Sequence, residues 1–360
     1  MIKKILLFTG LLLGFLVIAF FLFVYFNKPD YSGKLDLNGL QEEVTVYFDE
    51  VGVPHIYAQN ETDAYFALGY LHAQDRLWQM ELVRRVGAGR LSEVFGESMV
   101  ETDKFFRGIG IAEASEASLS KIDTASASYL MARAYINGIN LFIDNGATPV
   151  EFRLLGIKKE NYTVKDIFNV YGYMAFSFAQ AHKTDPFLTG LNQKLGSAYL
   201  EDLDIKLNPG ATIIQNYHRN IVSEVASNIS GAVNSIMETL PVPPFIGSNS
   251  WVIGAKKTKN GKVILANDPH IGYSQPAVWY QSHIVTPNYE MYGFNLALTP
   301  FPLLGHNRKY AYGLTMFQND DIDFYLEDSL QQFGTRKEII KVKDEDDVFF
   351  EVRTGKGGRL

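Results

Sequence analysis

The chain opens on an unbroken apolar run, residues 5–26, which carries no charge and follows Lys3 and Lys4. As a helix rising 1.5 Å per residue it would extend about 33 Å, enough to cross a hydrocarbon core. The basic residues precede the run, so the remainder is expected on the extracytoplasmic side. A cleaved signal peptide is the competing reading, but its apolar region is usually shorter and ends at small residues. Here the run ends FLFVYFNKPD, with large aromatics, and an uncleaved anchor is expected. Beyond it the pattern becomes globular. EVTVYFDE, residues 43–50, alternates as a strand, and VGVPH turns it. Residues 61–89 read as a long helix, with Ala64, Leu68, Leu71, Trp78 and Leu82 at helical spacing and Gly87 and Gly89 as a stop. Residues 126–145 and 164–181 read as two more helices. Residues 211–247 are polar and mixed, end in PVPPF, and read as a surface connector. From Ser248 the period changes to that of strands: SNSWVIGAKK and KVILAND flank TKNGK, where Asn260-Gly261 is a hairpin-turn signal.

Composition narrows the function classes. The 360 residues are 47% hydrophobic and 20% charged, which suits a folded chain of about two domains. The net charge is -7, with no basic block after the N-terminus, which argues against nucleic acid as a partner. The sequence contains no cysteine, so thiol catalysis, disulfides and thiolate metal sites are excluded.

No G-x-S-x-G elbow, phosphate loop or HExxH helix occurs. The stretch PPFIGSNSWVIGAKK instead sets Gly247-Ser248 between a proline-rich run and a strand. A serine can become nucleophilic by becoming the first residue of a chain. Its α-amine, with a pKa of about 7.7–8.0, is then a general base attached to the same residue as the hydroxyl. That amine exists only after the Gly247–Ser248 bond is cut, and glycine tolerates the backbone such a cut requires. On these residues alone an ordinary loop serine remains the commoner outcome.

GSNSWVIGAKKTKNGKVILANDPHIGY resembles the start of the catalytic subunit in the penicillin acylase family of N-terminal-nucleophile hydrolases. The likeness continues through FPLLGHNRKYAYGLTMFQNDDIDFY. Upstream, DEVGVPHIYAQNETDAYFALGYLHAQDRLWQMELVRRVGAGRLSEVFGE and PVEFRLLG resemble the small subunit. The resemblance implies an α+β fold, the four-layer αββα sandwich, behind one transmembrane helix or signal peptide (1–30). It further implies a small-subunit-like region (31–210), a spacer removed autocatalytically (211–247) and the start of the large subunit (248–360).

It also implies roles. Ser248 would be the nucleophile, with its free amine as base and Gly247–Ser248 as the autocleavage bond. His270 would assist at the site, against the alternative of a histidine hydrogen-bonded in the core. The backbone amide of Met316 would donate to the oxyanion. A partnering asparagine is expected beyond Leu360, as in a chain truncated at its C-terminus. Met174 and Phe178, four apart on one helix face, would wall an apolar acyl pocket, against ordinary core packing. Asp320, the carbonyl of Ile322 and Asp323 would hold a structural calcium, with Thr184 and Asp185 near a further ligand position; a solvated acidic turn is the alternative. Arg84, Arg85 and Arg90 are expected to tie a helix end to neighbouring carboxylates. No organic cofactor is implied. The expected activity is hydrolysis of linear amides of the penicillin or N-acyl-homoserine-lactone type. The expected partners are a small acyl-amide substrate, the membrane, and the two subunits of one precursor. The alternative is an uncleaved, non-catalytic, membrane-tethered relative acting as a binding module.

Overall fold

The computed structural model describes residues 2–27, 29, 31–179, 181–203, 219–242, 245–316, 322 and 333–355. Its helices are α1 (Ile2–Asn27), α2 (Glu61–Ala88), α3 (Ser92–Phe95), α4 (Val100–Ile109), α5 (Ile111–Leu119), α6 (Ala127–Asn145), α7 (Val150–Leu155), α8 (Val164–Phe178), α9 (Ala181–Leu195), α10 (Ser197–Asp202) and α11 (Arg219–Thr239). The strands are β1 (Thr45–Phe48), β2 (Pro54–Tyr57), β3 (Phe245–Ile253), β4 (Ile264–Ile271), β5 (Trp279–Val285), β6 (Glu290–Leu296), β7 (Leu304–His306), β8 (Ala311–Tyr312), β9 (Gly334–Ile340) and β10 (Val348–Thr354). Helix and sheet are thus mixed throughout, and the chain divides into two compact units.

The first unit holds residues 1–80, 124–163 and 281–292. Its sheet runs β1–β2–β5–β6, with β2 antiparallel to β1 and parallel to β5. Asn60 and Asp63 start α2 by reciprocal hydrogen bonds: the Asp63 amide donates to Asn60 Oδ1 at 2.8 Å, and Asn60 Nδ2 to Asp63 Oδ2 at 2.7 Å. Such bonds satisfy amides that a helix start leaves open. Ile56, Tyr65, Leu68, Tyr135, Ile139 and Phe152 form its fully buried centre. There α2 and α6 meet through glycines. A Cβ on Gly69 would stand 2.0 Å from the Tyr135 carbonyl oxygen, and one on Gly138 2.0 Å from that of Phe66.

The second unit holds residues 81–123, 164–280 and 293–360. In it β6 runs on beside β7, which pairs with β8, and two hairpins, β3–β4 and β9–β10, form separate two-stranded sheets. Val86, Leu91, Phe106, Ile111, Tyr173 and Phe176 make one core cluster. The end of α2 is held as expected from sequence. Arg84 and Arg85 each reach Glu81 at 2.6 Å, Arg85 reaches Glu93 at 2.7 Å, and Arg90 reaches Glu93 at 2.7 Å.

Two expectations change. The helix expected over 164–181 ends at Phe178, and a separate helix begins at Ala181. The surface connector expected over 211–247 contains α11, a helix of 21 residues, and the start of β3, which begins at Phe245 and not at Ser248. Its Ile229, Val233, Ile236 and the following Leu240 recur at helical spacing beneath a polar average. Val233 is buried, and Ile236, Met237, Leu240 and Val242 pack on the core cluster.

Candidate active site

Ser248 sits in β3, opposite Pro269 of β4, with Gly247 opposite His270. The connecting loop sets this register. A two-residue turn at Asn260-Gly261 would have put Ser248 opposite Tyr273. Instead residues 254–263 form a longer loop with a single helical turn at Ala255–Lys257. Thr258 Oγ1 closes it by donating toward the carbonyls of Ala255 (3.0 Å) and Lys262 (2.7 Å), and Gly261 takes a positive φ of 66°.

Side chains alternate across a strand, so this register sorts the residues by face. Ser248 shares its face with Ser250, Asn267 and Pro269. Asn249, Asp268 and His270 share the other face. His270 Nε2 lies 3.2 Å from Asp268 Oδ2 and 3.2 Å from Asn249 Nδ2, with the imidazole 44% exposed. When neutral, that nitrogen can accept from Asn249; when protonated, it can donate to Asp268. A Cβ on Gly247 would stand 3.8 Å from His270 Nδ1, so the ring lies against the Gly247 backbone. The structure therefore places His270 beside the Gly247–Ser248 bond and on the face away from the Ser248 side chain.

The Ser248 face meets residues 313–316. The Met316 amide donates to Ser248 Oγ at 3.1 Å, and Thr315 Oγ1 donates to the Ser248 carbonyl at 2.8 Å. Asn267 bridges the same two segments. Its Nδ2 donates to the carbonyls of Asn249 (2.8 Å) and Leu314 (3.0 Å), and its Oδ1 accepts from the Leu314 amide at 3.0 Å. Helix α8 packs against β3 and carries Met174 and Phe178, both half-buried. On the same helix, burial and then the nearby Tyr312 push the Tyr171 hydroxyl up to about 12. Tyr312 lies just before residues 313–316, so α8, β3 and that segment lie close together.

The structure thus gathers Ser248, Met316 and the helix bearing Met174 and Phe178. It adds Asn267, Thr315, Asn249 and Asp268, which the sequence reading passed over. NDPH spells two of them, but their faces follow only from the loop-determined register. A backbone donor this close to Oγ is within reach of an oxyanion on a carbon bonded to that oxygen. Of the residues expected to hold calcium, Asp320 and Asp323 lie outside the described residues, and Ile322 packs on the core cluster. Thr184 Oγ1 donates to Asp185 Oδ1 at 3.3 Å. Among the described residues no three His, Asp or Glu side chains gather as a metal site.

Known proteins resemble the chain along most of its length. It is 31% identical to penicillin acylase 2 proenzyme of Pseudomonas sp. (strain SE83), over 83% of this chain and 39% of that protein. It is 30% identical to acyl-homoserine lactone acylase QuiP of Pseudomonas aeruginosa, over 86% of this chain and 37% of the relative. Penicillin G acylase of Escherichia coli is 27% identical, over 79% and 40%. The chain thus spans about two-fifths of the length of these curated relatives. A solved structure, the thermostable penicillin G acylase from Alcaligenes faecalis in tetragonal form, is 21% identical with a TM-score of 0.38. It covers 49% of this chain and 98% of its own. The family model for penicillin amidase matches residues 43–360, the whole of the chain beyond its apolar start and the segment after it, and on that match the chain belongs to the penicillin amidase family.

Proposed function

We propose that this chain belongs to a self-cutting amide hydrolase whose nucleophile is Ser248. The observation that carries the reading is the Met316 amide 3.1 Å from Ser248 Oγ, on the residue that follows Gly247. In the uncut chain Oγ attacks the Gly247 carbonyl. The hydroxyl proton passes to the Ser248 nitrogen as the peptide bond breaks and an ester forms. Water then hydrolyses the ester, leaving a Gly247 carboxylate, a free hydroxyl and a free amine. That amine takes the hydroxyl proton when Oγ attacks a substrate amide and returns it to the departing amine. The acyl-enzyme is hydrolysed by water. Met316 N–H stabilises charge on the attacked carbonyl oxygen in each step, a contribution typically worth a factor of about 10² to 10³ in rate.

The relatives' names, penicillin acylase and acyl-homoserine lactone acylase, support an acyl amide as substrate. Met174 and Phe178 on α8 support an apolar acyl group. His270 acts from the Gly247 side, with Asn249 and Asp268, and not as the base for Oγ. The fold proposed for the complete protein is the four-layer αββα sandwich. Calcium is proposed as a structural ion at Asp320, Ile322 and Asp323, and no step passes through it.

The test is maturation of the full-length protein. It should split, and the larger piece should begin Ser-Asn-Ser-Trp on N-terminal sequencing. Ser248→Ala should stay whole. Efficient cutting of that variant would remove Ser248 as the attacking group.

A further inference from the structure

Asn267 takes no part in the chemistry above, yet its carboxamide joins three pieces of the site. It lies on β4, on the Ser248 face of the hairpin. One Nδ2 reaches the carbonyl of Asn249, the residue after Ser248, at 2.8 Å. The same group reaches the Leu314 carbonyl at 3.0 Å, while Oδ1 accepts from the Leu314 amide at 3.0 Å. Asparagine here offers Leu314 a donor and an acceptor on one planar amide, the same pair of groups that a neighbouring backbone peptide would offer. Leu314 stands two residues before Met316, whose amide reaches Ser248 Oγ.

Gly313 provides an independent observation. A Cβ there would stand 2.4 Å from Asn267 Oδ1 and 2.7 Å from its Cγ, far inside contact distance. The backbone at residue 313 thus closes directly on the carboxamide, and a side chain at 313 would push the two apart.

We propose that Asn267 is a positioning residue for the oxyanion donor: it fixes residues 313–316 against β3 so that the Met316 amide stays aimed at the Ser248 oxygen. The proposal rests on the reading of Ser248 as nucleophile. A donor displaced by about an ångström costs transition-state stabilisation more than substrate affinity. The effect should therefore appear in kcat.

The experiment uses the full-length protein with Asn267→Asp and Gly313→Ala. The aspartate keeps the size of the side chain and an acceptor for the Leu314 amide. It removes both donations and sets a carboxylate against two carbonyl oxygens. Gly313→Ala keeps the asparagine side chain at 267 and displaces it by contact, so it tests the same geometry if the aspartate variant does not fold. Phenylacetyl and medium-chain acyl p-nitroanilides serve as probes, with rates taken per mole of cut subunit. Expected is a fall in kcat of about 10- to 100-fold with KM within about threefold. Amide hydrogen exchange at 313–316 should also be faster in both variants. A kcat within twofold of wild type in a folded variant would overturn the proposal, as would unchanged exchange at 313–316. If the wild-type protein neither cuts nor hydrolyses any probe, the nucleophile reading fails. Exchange then decides Asn267 separately, and protection of 313–316 that survives Asn267→Asp overturns its positioning role.

Discussion

Burial decides the protonation of His72. Its ring is fully enclosed, with Nδ1 2.8 Å from the Tyr135 hydroxyl. Burial first, and then the positive charge of Arg76, hold its pKa well below the ordinary 6.5. In the unfolded chain the same imidazole takes a proton near its ordinary value. The unfolded state therefore binds more protons than the folded state between the two pKa values. Stability from this group is complete above about pH 6.5 and is lost as pH falls toward the folded pKa, at up to about 1.4 kcal/mol per unit. Thermal unfolding from pH 7.5 to 5.5 should show a steeper loss for the wild type than for His72→Gln, and equal slopes would show that His72 does not titrate with unfolding. The same dependence on surroundings separates the site residues that were legible in the sequence from those that were not. Ser248, Met316, Met174 and Phe178 stand in motifs whose resemblance to the family implies their proposed roles, that of Met316 through its backbone amide alone. Asn267, Asn249 and Asp268 do not. What they touch follows from the register of β3 on β4, and that register comes from how residues 254–263 close.

Glycine at a helix crossing and glycine on an open helix face should respond oppositely to the same added methyl group. Gly69 and Gly138 let α2 and α6 approach until a Cβ would stand 2.0 Å from a backbone oxygen, which cannot swing aside as a side-chain tip can. Gly69→Ala or Gly138→Ala should destabilise the protein by about 1–3 kcal/mol, because overpacking outweighs the gain in helix propensity. Gly190 in α9 meets nothing within 4 Å of its would-be Cβ, so Gly190→Ala should stabilise by about 0.5–1 kcal/mol. Urea unfolding of the three variants measures both signs, and a neutral Gly69→Ala would mean that the helices can move apart cheaply. The elements themselves were largely readable. The helix predicted over 61–89 is α2 at Glu61–Ala88, although it is kinked at Arg76 (φ -137°, ψ 17°), and the one predicted over 126–145 is α6, with Ser126 as its N-cap. Both have long apolar periodicity and clear ends. Helix α11 escaped because its apolar stripe is narrow and its neighbours polar, and because the proline-rich end of the segment drew the whole of it into one loop. The hairpin was predicted as an element, yet its Asn-Gly pair marks one bend in a longer loop and not the turn that sets register.

Helix α1 poses a problem at the scale of the whole molecule, because nothing among the described residues covers it. Ile2–Phe23 has a mean hydropathy of 2.8 with none of that window buried, and its leucine, isoleucine and phenylalanine side chains stand exposed around the helix. Taking each such side chain out of water is worth about 1.5–3 kcal/mol, so the run as a whole favours an apolar surrounding by tens of kcal/mol. A bilayer supplies that surrounding along the full length of the helix, and Lys3 and Lys4 ahead of it favour a cytoplasmic start. We propose an uncleaved anchor with the remaining chain on the extracytoplasmic side. The protein should then sediment with membranes and stay there through high-salt washing, while protease added outside the cytoplasmic membrane should digest it. Release of a soluble form beginning near residue 30 would mean that the run is a signal peptide. The hydrogen bonds that define the candidate site fall within residues 248–316, and the helix packed on it is α8. Deleting residues 1–29 should therefore abolish membrane retention and leave cutting after Gly247 intact. Loss of cutting in a folded, soluble deletion variant would show that the anchor contributes to the site and is more than a tether.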